Sequence, residues 1–101
     1  MTQLEFIEQI IKEKEAVILD ANDKIWSYAE LPYEETRSSA LLCSILESEG
    51  FTVETGVAEI PTAFVARYVV GTGKPVMGIL GEFDALATLS QKAGCTVKDP
   101  V

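Results

Sequence analysis

The rhythm of the chain changes at Gly50. Before it, apolar residues recur at spacings of three and four; after it, they alternate or run together. Helical periodicity followed by strand periodicity restricts the fold to helices laid against a sheet, an α/β arrangement in which the helices come first. Leu4, Ile7 and Ile11 open the first stripe, and Ile18 and Ile25 extend it. Asp20-Ala21-Asn22-Asp23 is a candidate break, because Asn and Asp side chains compete for backbone hydrogen bonds. The spacing therefore predicts one long helix or two collinear ones from Thr2 to about Leu31, ended by Pro32. A second helix is expected over Glu34 to Glu49. Ala40, Leu41, Leu42, Ile45 and Leu46 form its stripe, Glu34 and Glu35 favour its positive end, and Gly50 caps it.

Beyond Gly50, Phe51-Thr52-Val53-Glu54-Thr55 alternates as a half-buried strand does. Thr62 to Val70 is a second expected strand. Gly71-Thr72-Gly73-Lys74 is a tight turn, expected to make a hairpin into a third strand from Val76 to Phe83. The third strand hardly alternates, so it is expected at the centre of a sheet with both faces covered. Two helices do not easily cover both faces of three strands. The sequence alone therefore reads as the start of a larger α/β domain, with a loop leading onward from Gly94.

The apolar run Pro75 to Leu80 breaks into two acids, Glu82 and Asp84, around Phe83. Residues two apart on a strand share a face, so both carboxylates would point the same way at the strand's C-terminal end, where open α/β sheets bind ligands. On spacing alone two readings stand. In one, Asp84 caps a short helix over Asp84 to Leu89 and Glu82 is merely solvated. In the other, both line a site.

Composition removes many chemistries. The 101 residues contain no histidine, so the chain by itself has no Ser-His-Asp triad, Cys-His pair or HExxH zinc helix. Eight basic residues, singly scattered, against sixteen acidic ones give a net charge of −8, which argues against nucleic acid and anionic membranes as partners. Two cysteines far apart, no secretory leader and no run near 18 apolar residues make a cytoplasmic location the default. Cys43 lies on the apolar stripe and reads as a small core residue. Cys95 has no visible partner group. Trp26, Tyr28 and Tyr33 read as packing anchors, and Gly71 to Lys74 lacks the spacing of a phosphate loop.

Three stretches carry a resemblance. The helix junction AELPYEETRS, the run GFTVETGVAEIPTAFVA and the segment GILGEFDAL with the following LSQ resemble the amidohydrolase/carboxypeptidase branch of the zinc metallopeptidases. The likeness covers nearly the whole chain. It implies that residues 1–101 are the N-terminal portion of a phosphorylase/hydrolase-like catalytic domain, without the family's inserted smaller domain. The implied activity is metal-dependent cleavage of an amide such as p-aminobenzoyl-glutamate or a related N-acyl amino acid, with a pair of divalent metals (zinc or manganese) activating water.

In the wider family an H-x-D element ends this strand. Glu82 stands at its His position and Asp84 at its Asp position. The resemblance thus implies Asp84 as a carboxylate that orients a metal ligand and Glu82 as a residue lining the site. The family's Cys-Gly-His metal motif is absent, Cys95 lacks the adjacent Gly-His, and Ala87 replaces the usual Pro after DAL. The expectation is a fragment that holds no metal tightly and is inactive alone. Its partner would be the remainder of the catalytic domain or another subunit, with a homodimer as a further possibility. Two alternatives are a non-catalytic truncated paralogue acting as a binding or oligomerisation module, and a carboxylate-based Ca²⁺ or Mg²⁺ binder.

Overall fold

The computed structural model describes residues 1–100. The elements in chain order are α1 (Gln3–Tyr28), α2 (Thr36–Ser48), β1 (Thr52–Thr55), one 3-10 turn (Val57–Glu59) and β2 (Phe64–Arg67). No helix among the described residues is long and apolar enough to cross a membrane.

α1 begins with a capping box. The Glu5 N–H donates to Thr2 Oγ1 at 3.1 Å and the Thr2 N–H to Glu5 Oε2 at 3.4 Å. The candidate break at Asp20–Asp23 does not interrupt it. Asp20 faces outward, paired with Lys24 one turn on at 2.8 Å, while Ala21 packs inward at 8% exposure. With their side chains turned to solvent, the polar residues leave the backbone ladder intact. The helix ends where Ala29 turns left-handed at φ 47° and sends its N–H to the Ile25 carbonyl.

α2 starts two residues later than its sequence suggests. Glu34 donates its N–H to the Leu31 carbonyl at 2.9 Å, closing a turn, so Glu35 becomes the cap and Thr36 the first helical residue. The helix then runs back along α1. At its far end Lys14 Nζ meets Glu49 Oε2 at 2.7 Å, and the about 20 Å length of α2 matches the stretch of α1 from Tyr28 back to Lys14. Gly50 closes α2 with a Schellman motif: Phe51 N–H to the Leu46 carbonyl and Gly50 N–H to the Glu47 carbonyl, each 3.0 Å. Gly50 has φ 94°, and a Cβ there would meet the Tyr68 ring at 3.2 Å. Gly50→Ala should therefore cost about 1–2 kcal/mol, read as a lower urea midpoint with unchanged slope.

β1 and β2 pair antiparallel, Thr52 opposite Arg67 and Thr55 opposite Phe64. Glu54 and Arg67 are diagonal neighbours on one face and join at 3.2 Å. The hairpin thus lies between the first and second strands, closed by the Gly56 N–H on the Ala63 carbonyl at 2.9 Å. Phe51 and Tyr68 set their rings 5.2 Å apart, tilted 55° to each other, just outside the two strands.

The expected third strand is a correction. The turn at Gly71–Gly73 forms, with Gly73 N–H on the Val70 carbonyl, but the sheet has two strands, and Val76 to Phe83 pairs with neither. Val76, Met77, Ile79 and Leu80 are 85–99% exposed. A run this apolar needs cover on both faces, and the described residues supply only one helical layer, already occupied by β1 and β2. The expected helix over Asp84 to Leu89 is a single turn instead, Leu89 N–H to the Leu86 carbonyl.

What does pack is small. Among the described residues Ala21 and Cys43 are the buried apolar side chains, and Ser38, Ser39 and Thr62 are the buried polar ones. The accessible surface of 8269 Å² compares with roughly 5,600 Å² for a closed domain of this mass. The radius of gyration of 16.2 Å compares with roughly 13 Å. Much apolar surface is open.

Candidate functional site

Glu82 and Asp84 are both exposed, and no ion pair among the described residues involves either. Asp84 is nevertheless held on both sides. The Phe83 ring lies 6.0 Å from that of Phe64 on β2, and the Ala85 N–H donates to the Glu30 carbonyl at 2.7 Å. Seven residues on, the Trp26 indole N–H donates to the Gln91 carbonyl at 2.6 Å. The segment carrying the two acids is thus tied to the C-terminal end of α1 and to β2, though it is no strand.

Glu30, to which sequence reasoning assigns no role, is the polar centre of this region. Its carboxylate is 8% exposed. Oε1 accepts the Ser38 N–H at 2.7 Å, and Oε2 accepts the Arg37 N–H at 3.1 Å, Arg37 Nε at 3.3 Å and the Thr36 hydroxyl at 3.4 Å. These are the free donors at the start of α2, which Glu35 leaves uncapped. Burial pushes the Glu30 carboxyl up, but the Ser38 and Arg37 donors outweigh it and hold the group at about 2, below its ordinary 4.5. The Arg37 guanidinium also sits 4.5 Å over the Tyr28 ring, which closes the junction from outside. Glu35 turns the other way and accepts the buried Thr62 hydroxyl at 3.3 Å, linking the α2 cap to the approach of β2.

The cysteines play no part here. Cys43 is packed, and burial raises its thiol above the ordinary 9.0, as suits a core position. Cys95 belongs to a local knot in which the Lys92 N–H donates to the Asp99 carbonyl at 2.8 Å and the Gln91 amide to the Cys95 carbonyl at 3.0 Å. Among the described residues no three His, Cys, Asp or Glu side chains converge on one point. Glu82 and Asp84 therefore do not by themselves make a coordination shell.

Over 90 residues, 89% of the chain, the sequence is 49% identical to one of the subunits of p-aminobenzoyl-glutamate hydrolase from Escherichia coli. The match supports a place in the amidohydrolase/carboxypeptidase family. Thermostable carboxypeptidase 1 of Saccharolobus solfataricus is 31% identical over 85% of the chain. The chain spans about a fifth of these relatives, 18% and 22% of their respective lengths. No protein-family model and no solved structure matches it.

The resemblance gives meaning to the turn after Asp84. Leu86 to Leu89 is closed by its hydrogen bond with Ala87 second and Thr88 third, and Thr88 has φ 68°. A positive φ at the third position is the mark of a type II turn, which favours Pro at the second. That second position is where the family resemblance puts a proline. Ala87→Pro should raise stability by about 0.5 kcal/mol, seen as a small increase in melting temperature.

Proposed function

We propose that this chain is the N-terminal part of the catalytic α/β domain of a metal-dependent amidohydrolase that cleaves p-aminobenzoyl-glutamate or a related N-acyl amino acid, and that it is inactive alone. The observation that carries the reading is the 49% identity to a protein whose name states that hydrolysis. The open apolar run from Val76 to Leu80 supports it further. A self-contained binding module would turn polar faces outward there, whereas these side chains call for a covering layer. The partner is accordingly the remainder of the domain or a second polypeptide. That the Escherichia coli relative is named as one subunit of its hydrolase supports an assembly. Asp84 is the carboxylate that orients a ligand of the family's zinc or manganese, the ligand coming from outside the described residues, and Glu82 lines the same site.

The test is complementation. The chain is fused to the Escherichia coli relative from which the matching stretch has been removed, and release of p-aminobenzoate is followed. The chain alone should release none and the fusion should turn over. Asp84→Asn in the fusion should lower the rate 10–100-fold. Turnover by the isolated chain, or a folded fusion that shows none, would overturn the reading.

A further inference from the structure

We propose that Glu30 is a positioning residue that holds the Asp84 carboxylate in place through its own main chain. Its importance for catalysis rests on the proposed role of Asp84; its geometry does not. Three features lead to it. The two side-chain oxygens of Glu30 are fixed by donors from Thr36, Arg37 and Ser38, which pins the residue to the start of α2. The main-chain carbonyl of the same residue takes the Ala85 N–H at 2.7 Å. Because a peptide unit is planar, holding that N–H holds the whole Asp84–Ala85 plane and with it the Asp84 Cα. The Phe83 ring against Phe64 fixes the preceding residue.

Asp84 is thus exposed at its carboxylate yet bracketed in its backbone, which is what an orienting group requires. Without the anchor at Glu30, the segment from Val76 to Asp84, which has no ladder hydrogen bonds, would be located by Phe83 alone. One residue therefore serves two elements, and the start of α2 and the site segment should loosen together.

Amide hydrogen exchange on the full chain tests this without metal or substrate, so its failure is separate from any failure of the amidohydrolase reading. In the unaltered protein the Ala85 amide should share the protection factor and the urea dependence of the Arg37 and Ser38 amides, since one opening exposes all three. Glu30→Gln keeps the shape but turns an amide N–H₂ toward backbone donors. It should speed exchange at all three roughly tenfold or more, leave the amides of α1 around Lys14 unchanged, and be partly rescued by Glu30→Asp. A merely local cap would change Arg37 and Ser38 alone. If Ala85 keeps its protection in Glu30→Gln, or differs from the other two in urea dependence in the unaltered chain, the proposal is wrong. The second comparison needs no variant, so it stands even if Glu30→Gln unfolds.

Discussion

Acidification from pH 5 to pH 1 should remove about 2 kcal/mol of stability through Glu30 alone. The sign follows from its pKa of about 2 in the fold against 4.5 ordinarily. A carboxyl with a lowered folded pKa contributes stability that is fully present above the unfolded value. That stability falls away as pH drops from about 4.5 toward 2 and is gone below it. The figure of about 2 kcal/mol allows for solvent at the Arg37 edge, where the guanidinium is mostly exposed.

The chain carries sixteen acidic residues, Glu30 among them, so the measurement is a difference. Urea midpoints are taken at pH 7, 4 and 2 for the chain and for Glu30→Gln. The gap between the two should be widest at pH 7 and close as pH nears 2. A gap that stays constant would mean that the carboxylate's charge does nothing for α2.

A larger effect is expected at Ile79, and only in the assembled hydrolase. Ile79 is 99% exposed in this chain, so Ile79→Lys should shift its own stability by less than about 0.5 kcal/mol. In the fusion with the truncated relative, the same lysine would be buried without a counter-charge, at a cost of several kcal/mol. Activity should then fall more than 100-fold. A fusion that tolerates Ile79→Lys would show that the run from Val76 to Leu80 stays uncovered in the enzyme. The pair of measurements separates a surface that waits for a cover from one that is simply apolar.

The helices and the first two strands were legible because their signals are local. Apolar residues recur at helical spacing from Leu4, Gly50 marks the end of α2, and Phe51 to Thr55 alternates, although α1 stops at Tyr28, short of the end expected from Pro32. The third strand was not legible, because pairing depends on a neighbour that periodicity cannot see. The apolar run correctly signals a need for cover, and the described residues do not contain it. The helix assigned to Asp84 failed for a different reason. Thr88 turns left-handed and stops it after one turn, a conformation that a threonine does not announce.

At the site, the acids at 82 and 84 were visible from their spacing. Glu30 was not, because it caps α2 from outside the helix, eight residues before Ser38, where capping rules look only at the adjoining residue. The one signal was its place in the junction AELPYEETRS, a stretch that resembles the family without showing what its acid does.

The small residues at the packed centre have a thermal consequence. Ser38 is fully buried, Ser39, Cys43 and Ala21 are nearly so, and the large aliphatic side chains are half-buried or exposed. Unfolding such a chain wets little oil that was dry before. Its heat capacity therefore rises little, and because few close contacts are broken its unfolding enthalpy is also small, which spreads the melting over a wide span of temperature. A covering layer that dried the run at Val76 to Leu80 would make the same chain melt sharply, so the breadth of the transition itself reports whether the cover is on.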